Sequence, residues 1–287
     1  MIGGEENFMK IGIYIATQAR HDFPKDPAYK PLLVGKIDND SGIELNDSAG
    51  DSISEKNKFY CELTGHYWIW KNDQISDIVG LCHYRRFFWL KDIPFRLCEK
   101  SFKTLAECEN FLSTENLEKF MRDYEIILPR AYAFSADTVK SQFIKYHGEE
   151  NFRLMFDAIK KLFPNYIESF EEVFDRRYVH LANLIIARRE IFDAYSEWLF
   201  KILSEIESKA DLTDKKNLRL PGYLGERLLN VYVYHNKLKL KEVPQIFISG
   251  ENNPPRKDLY INLRYIKRKY FPAVLDFEQK LRKKKPL

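Results

Sequence analysis

The chain has 287 residues, 45% hydrophobic and 31% charged, with a formal net charge of +4. That length buries a sizeable core in one large domain or two small ones, and the composition is that of an ordinary soluble globular protein. From Arg256 onward eleven Lys or Arg stand against three Asp or Glu, so the excess charge is a basic C-terminal segment behind a mildly acidic body. This distribution points to contact of the tail with a membrane surface or polyanion and argues against a nucleic-acid-binding domain.

None of the four cysteines has Cys-x-x-Cys spacing, which excludes a zinc knuckle and a thioredoxin motif. The polar, acidic start reads as no secretory leader, with Met9 as the expected functional start, and no apolar run reaches the roughly 18 residues of a membrane span. The expectation is a reduced, cytoplasmic protein, with a peripheral position on the inner face of the plasma membrane as its extension through the tail. There is no G-x-G-x-x-G, P-loop, G-x-S-x-G or H-E-x-x-H, which takes weight from Rossmann redox chemistry, P-loop hydrolysis, serine hydrolysis and zinc proteolysis.

In chain order, residues 10–17 (KIGIYIAT) form a β-branched run that predicts a buried strand ending at Thr17-Gln18-Ala19-Arg20. Ligands of α/β proteins bind beyond strand C-termini, so Thr17 and its neighbours are either site residues or an ordinary polar loop. A second short strand is predicted at 31–37. Asp38-Asn39-Asp40 after it has the form of the DxD carboxylate pair that binds a metal in many sugar transferases, and equally the composition of a turn.

The stretch 50–90 (GDSISEKNKFYCELTGHYWIWKNDQISDIVGLCHYRRFFWL) dominates the chain. Ser54 is the expected N-cap, with Asn57 at the third helical position, of one helix over 55–71. Phe59, Leu63, Tyr67 and Trp70 stripe one face, and aromatics on a second face predict burial on more than one side. A glutamate in that setting, Glu62, needs a partner such as an arginine. Residues 77–82 predict a central strand that stops at His83-Tyr84-Arg85-Arg86. Continued extended, it would put His83 and Arg85 on one face and Tyr84 and Arg86 on the other. A guanidinium fork suits a phosphate, and a structural ion pair is the other reading of these arginines.

Residues 90–123 read as a charged, helical lid or insertion, and 124–128 as a strand before Pro129-Arg130. Residues 139–174 read as helical, with His147 at a helix end. A strand is predicted at 184–187, flanked by His180 and Asn183, then helices over 191–206 and 221–234 and a short strand at 246–248. Glu226, just after Gly222 and Gly225, is either a general base at an exposed loop–helix junction or a carboxylate favoured by the helix dipole. The tail from Arg256 interleaves cations with aromatics, which fits an interfacial helix on an anionic bilayer or a solvated tail folded back on the body.

GDSISEKNKFYCELTGHYWIWKN with DIVGLCHYRRFF closely resembles the signature of a bacterial capsular polysaccharide synthesis family first catalogued as a domain of unknown function. Ile15-Ala16-Thr17, the regions His180 to Ile186 and Ile191 to Phe200, and Gly222 to Leu228 are similar to further segments of that family. The chain departs from it at Thr17-Gln18-Ala19, where Thr-His-Lys is common, at Ser52 in place of Asn, and at His66 in place of an apolar residue.

The resemblance implies an α/β, GT-A-like single domain over 9–250, a mixed sheet flanked by helices; the composition adds a helical basic tail over 251–287. It implies glycosyl transfer from a UDP-sugar, with galactofuranose as one donor sugar, to a lipid-linked or oligosaccharide acceptor in capsule, exopolysaccharide or O-antigen assembly. On that reading Glu226 deprotonates the acceptor, assuming inversion, and Arg85 and Arg86 do the work of a metal on the departing diphosphate. Thr17, Asp51, Asn57, Glu62, His83 and Tyr84 shape the donor site; His180, Asn183 and Arg227 lie on the acceptor side. No metal ligand is assigned: manganese or magnesium remains compatible, without a convincing DxD. The rival readings are a phosphotransferase acting on nucleotide sugars and a non-catalytic carbohydrate-binding or scaffold protein of the same pathway.

Overall fold

The computed structural model describes residues 9–35, 41–134, 137–250 and 258–271. The Asp38-Asn39-Asp40 triplet and the chain after Phe271 lie outside the described residues. The elements in order are β1 (Ile11–Thr17), β2 (Tyr29–Leu33), α1 (Asn57–Tyr60), α2 (Leu63–Asn72), β3 (Ile78–His83), β4 (Arg86–Phe88), β5 (Glu99–Phe102), α3 (Leu117–Asp123), β6 (Ile126–Pro129) and β7 (Tyr132–Ala133). They continue with α4 (Val139–His147), α5 (Glu149–Leu162), α6 (Ile167–Asp175), β8 (Tyr178–Val179), β9 (Ile185–Arg188), α7 (Arg189–Glu207), α8 (Leu220–His235), β10 (Leu240–Val243), β11 (Gln245–Ile248) and α9 (Asp258–Tyr270).

Among the described residues nine strands make one mixed sheet, in the order β10-β6-β9-β3-β4-β11-β5 with β1 and β2 branching from β3. β1 runs parallel to both β2 and β3, with Ala16 opposite His83. The alternation of a strand sends Tyr14, Ala16, Val79 and Leu81 to one face, into a core built with α2 and α4–α8. Ile13, Ile15, Ile78 and Cys82 go to the other, against Phe87, Phe88 and Met121. Both faces are covered, which is why β1 and β3 read as unbroken apolar runs.

The sheet is splayed at the end of β3. β9 pairs antiparallel with residues 78–81 of β3, and β4 pairs with it at His83 opposite Arg86. The strand therefore does not run out through His-Tyr-Arg-Arg as an extended chain. It turns tightly at Tyr84-Arg85, so His83 and Arg86 become direct cross-strand neighbours.

The expected single helix over 55–71 is also broken. Cys61 sits at φ 53°, ψ −132° between α1 and α2. Ser54 does not cap the helix, because its hydroxyl donates to the Asp47 carboxylate. Residues 90–123 contribute β5 to the main sheet, which makes them part of the framework rather than a lid. α2 is buried on two sides as its aromatics predict, with His66 stacked on Phe192 at 4.4 Å and hydrogen-bonded to Ser196 at 2.8 Å.

α9 docks against the body and meets β10 through Glu242, whose carboxylate is shared by His180 (3.2 Å), Arg268 (3.3 Å) and Lys269 (3.1 Å) and accepts from the Ala131 N–H. Burial alone would raise this carboxyl, but the His180 hydrogen bond and charge, the Arg268 charge and the Ala131 N–H outweigh it and hold it far below its ordinary value of 4.5. A carboxyl depressed on folding contributes stability that is complete above its unfolded value and is lost as pH falls through that value toward the folded one. Glu242→Gln should therefore lower stability at pH 7 by about 3 kcal/mol. Melting temperatures followed from neutral pH to below 4 should show the parent converging on the variant at the acid end.

Candidate functional site

A cleft of about 660 Å³ opens at the C-terminal ends of the parallel strands β1 and β3. Such strand ends are where α/β sheets place ligands. β1 delivers Thr17 and Gln18, and β3 delivers His83 and Tyr84. The break between α1 and α2 turns Cys61 and Glu62 into the cleft beside Asn57 and Lys58, and the hairpin adds Arg86. Arg219, Tyr223 and Glu226 come from the start of α8.

Each side chain is held for a local reason. Asn57 donates to the Cys61 carbonyl at 2.8 Å and to Thr64 Oγ1 at 2.9 Å, bridging the kink, and accepts from Gln18 at 3.0 Å. Asn183, left-handed at φ 49°, lies buried below the floor and donates to Glu62 Oε1 at 2.7 Å and the Gly222 carbonyl at 3.0 Å. Glu62 thus finds an amide as its hydrogen-bond partner. Gly225 of α8 permits this packing: a Cβ there would lie 3.0 Å from Asn183 Oδ1 and from a Leu63 methyl.

Glu226 is nearly two turns into α8, with its side chain 18% exposed. Its Oε1 accepts from the Ala182 N–H at 2.8 Å, and its Oε2 from the Arg227 guanidinium, which is 3% exposed. Arg227 also donates to Gln142 Oε1 at 3.0 Å and to the Tyr223 carbonyl at 3.3 Å. Burial raises the Glu226 carboxyl and Glu62 adds to the rise, while Arg227, the Ala182 N–H and Arg86 oppose it. His83 is driven down to about 3, by burial first and then by Arg86 and Arg219, so it is neutral across the physiological range. Its Nε2 is buried without a hydrogen-bond partner, 3.9 Å from Glu62 Oε1.

Of the residues singled out in the sequence, Thr17, Asn57, Glu62, His83, Tyr84, Arg86 and Glu226 line this cleft. The others stand elsewhere. Arg85 projects from the turn, with its guanidinium 5.1 Å from the Tyr84 ring. Asp51 accepts from Tyr67 at 3.0 Å and is not part of the lining. Arg227 lies beneath Glu226. His180 belongs to a separate cavity with Asn230 (2.8 Å) and Glu242.

Arg219 escaped the sequence reading. It is a left-handed residue (φ 67°) immediately before α8, with Nε 3.0 Å from Cys61 Sγ. Its only signal was a cation directly before Leu220-Pro221-Gly222.

The cleft thus gathers the cations Lys58, Arg86 and Arg219 with two carboxylates, Glu62 and Glu226. Among the described residues no group of three or more His, Cys, Asp or Glu is arranged to hold a metal ion. The chemistry available is anion binding by fixed cations, with a half-buried carboxyl of raised basicity beside it.

The fold matches that of a glycosyltransferase. The chain superposes on the bifunctional glycosyltransferase WbbM, described in its apo form, with a TM-score of 0.76 and 28% identity over 85% of this chain. The match spans 47% of WbbM, about half its length. No curated protein matches the sequence. Residues 12–237 match the model of a family described as a domain of unknown function, DUF4422, and the chain belongs to that family.

Proposed function

We propose that the protein is a glycosyltransferase that moves a sugar from a UDP-sugar to a saccharide acceptor in surface polysaccharide assembly. The observation that carries this reading is the pairing in one strand-end cleft of fixed cations with a half-buried, raised carboxyl. The likeness to a bifunctional glycosyltransferase supports it. The donor diphosphate lies against Arg86, Arg219 and Lys58. Thr17, Asn57, His83 and Tyr84 shape the donor pocket, and the unpartnered His83 Nε2 is free to meet a polar group of the ligand.

Glu226 takes the proton from the acceptor hydroxyl as that oxygen bonds to the anomeric carbon. The bond from that carbon to the phosphate oxygen breaks, and the charge developing on the diphosphate is met by the arginines. Asn183 and Arg227 act from beneath, positioning Glu62 and Glu226. UDP-galactofuranose is the first donor to try, and a lipid-linked or oligosaccharide chain the acceptor. Incubation with a panel of UDP-sugars, read as UDP release and a new glycoside by mass spectrometry, tests the reaction. Saccharide binding without UDP release would leave a non-catalytic binding protein.

Glu226→Gln should lower kcat by about 100-fold or more, with UDP affinity within about threefold of the parent. The acid limb of the parent's pH–rate profile should lie above the ordinary carboxylate value of 4.5, since the base must be ionised and burial raises it. A near-normal kcat, or a limb at the ordinary value, removes the base assignment.

Arg86→Ala and Arg219→Ala should each cost about 10²–10³ in kcat/KM if they stabilise the leaving diphosphate as fixed donors do elsewhere. Transfer should persist in EDTA. Abolition by EDTA with recovery on manganese would overturn the idea that arginine does a metal's work.

A further inference from the structure

The basic C-terminal segment has no task in the cleft, and the part of it that the structure describes is built inside out. α9 turns its polar side to the protein. Asp258 accepts from the Ser101 N–H at 2.7 Å and from its hydroxyl at 2.8 Å, and Asn262 exchanges hydrogen bonds with the Glu99 backbone at 3.1 and 2.9 Å. Arg268 and Lys269 reach Glu242, and Tyr265 is the buried aromatic.

The apolar side points away from the body: Leu259 is 74% exposed, Tyr260 56% and Leu263 48%, with Phe271 following. Phe95, 66% exposed, extends the patch, its ring 5.3 Å from that of Tyr270. The Arg96 guanidinium lies within 6.0 Å of both rings. A helix on a soluble protein normally does the reverse, and a contiguous exposed apolar surface marks an interaction site.

We propose that this face of α9, with Phe95 and Arg96, seats the protein on an anionic bilayer surface. The leucines and aromatics enter the headgroup boundary and the cations meet lipid phosphates. Charge selects this occupant. Residues 258–271 carry four cations, of which Arg268 and Lys269 turn to Glu242, and their single carboxylate, Asp258, is also turned inward, while Arg96 beside the patch is exposed. Residues 272–287 add five more cations against Asp276 and Glu278. A second copy of the same face would set like charges against each other, whereas an anionic lipid surface accepts both the cations and the apolar side chains. The inference stands apart from the transfer reading, because it requires no chemistry in the cleft.

Sedimentation of the full chain with phosphatidylcholine vesicles, and with vesicles of equal parts phosphatidylcholine and phosphatidylglycerol, tests it. The protein should bind the mixed vesicles, bind the neutral ones weakly, and lose affinity as salt rises. The triple variant Phe95→Ser, Leu259→Ser, Leu263→Ser alters exposed positions only, so its melting temperature should match the parent's. It should bind the anionic vesicles about tenfold more weakly or worse.

Equal binding by a folded triple variant overturns the proposal, as does indifference of the parent to lipid charge. A parent that sediments as a dimer which the triple substitution dissolves also overturns it, by making the face a contact between copies. Because the readout is vesicle binding, failure here leaves the glycosyl-transfer test untouched.

Discussion

Two strands share one edge of β3, and the cleft exists because they cannot share it smoothly. β9 follows β3 through Leu81, and β4 takes over at His83. The chain entering β9 must leave the sheet between them, and it does so through Ala182 and Asn183, both in left-handed backbone at φ 76° and 49°. An alanine there is strained by roughly 1–3 kcal/mol. The strain is held by the hydrogen bond from the Ala182 N–H to Glu226 and by the Asn183 amide spanning Glu62 and Gly222. The same side chains that suit chemistry therefore also keep the floor in place. α8 must approach closely for this to work, which accounts for Gly225; at Gly222 a Cβ would make only ordinary contact, 3.6 Å from Cys61 Sγ.

The charges beneath the cleft form a graded set. Arg227 is almost fully buried and would be costly to leave alone, so Glu226 and Gln142 are tied to it. Burial, helped by Arg86 and Arg219 facing the cleft, keeps His83 neutral, which spares the site a fourth positive group beside Lys58 and the two arginines. Arg86 is also among the charges that hold the Glu226 carboxyl down against burial.

The framework was largely legible. β1, β3 and β9 announce themselves as β-branched runs because both sheet faces are covered, and the amphipathic period of α7 is close to its observed span. The decisive local breaks were not. The helix kinks at Cys61, where no glycine or proline warns of it; the kink is stabilised by Asn57 reaching over it to Thr64. The hairpin at Tyr84-Arg85 lacks the Asn-Gly type of signal, and neither residue has a positive φ. A strand exit and a tight turn are indistinguishable in HYRR, yet only the turn pairs His83 with Arg86. Asp51 and His180 are polar residues at element ends that the three-dimensional path carries elsewhere. Arg219 is the converse case, a cation in a polar loop that the fold swings beside Cys61.

The inverted polarity of α9 has a cause in the sheet. β5 is an edge strand, paired with β11 on one side only, and an edge presents backbone donors that need partners. Asp258 and Asn262 supply them, capping the N–H groups of Ser101 and Glu99. Covering an edge in this way demands polar side chains at the helix positions that face it, and Glu242 demands cations at two more. With a periodicity of 3.6 residues, Tyr265 falls on the inward side with them, and Leu259, Tyr260 and Leu263 are left facing outward. The exposed leucines and aromatics are not leftovers of an incomplete core. They are the complement of a hydrogen-bonded edge, and a sequence that only had to close that edge would gain nothing by placing Leu259 and Leu263 opposite it.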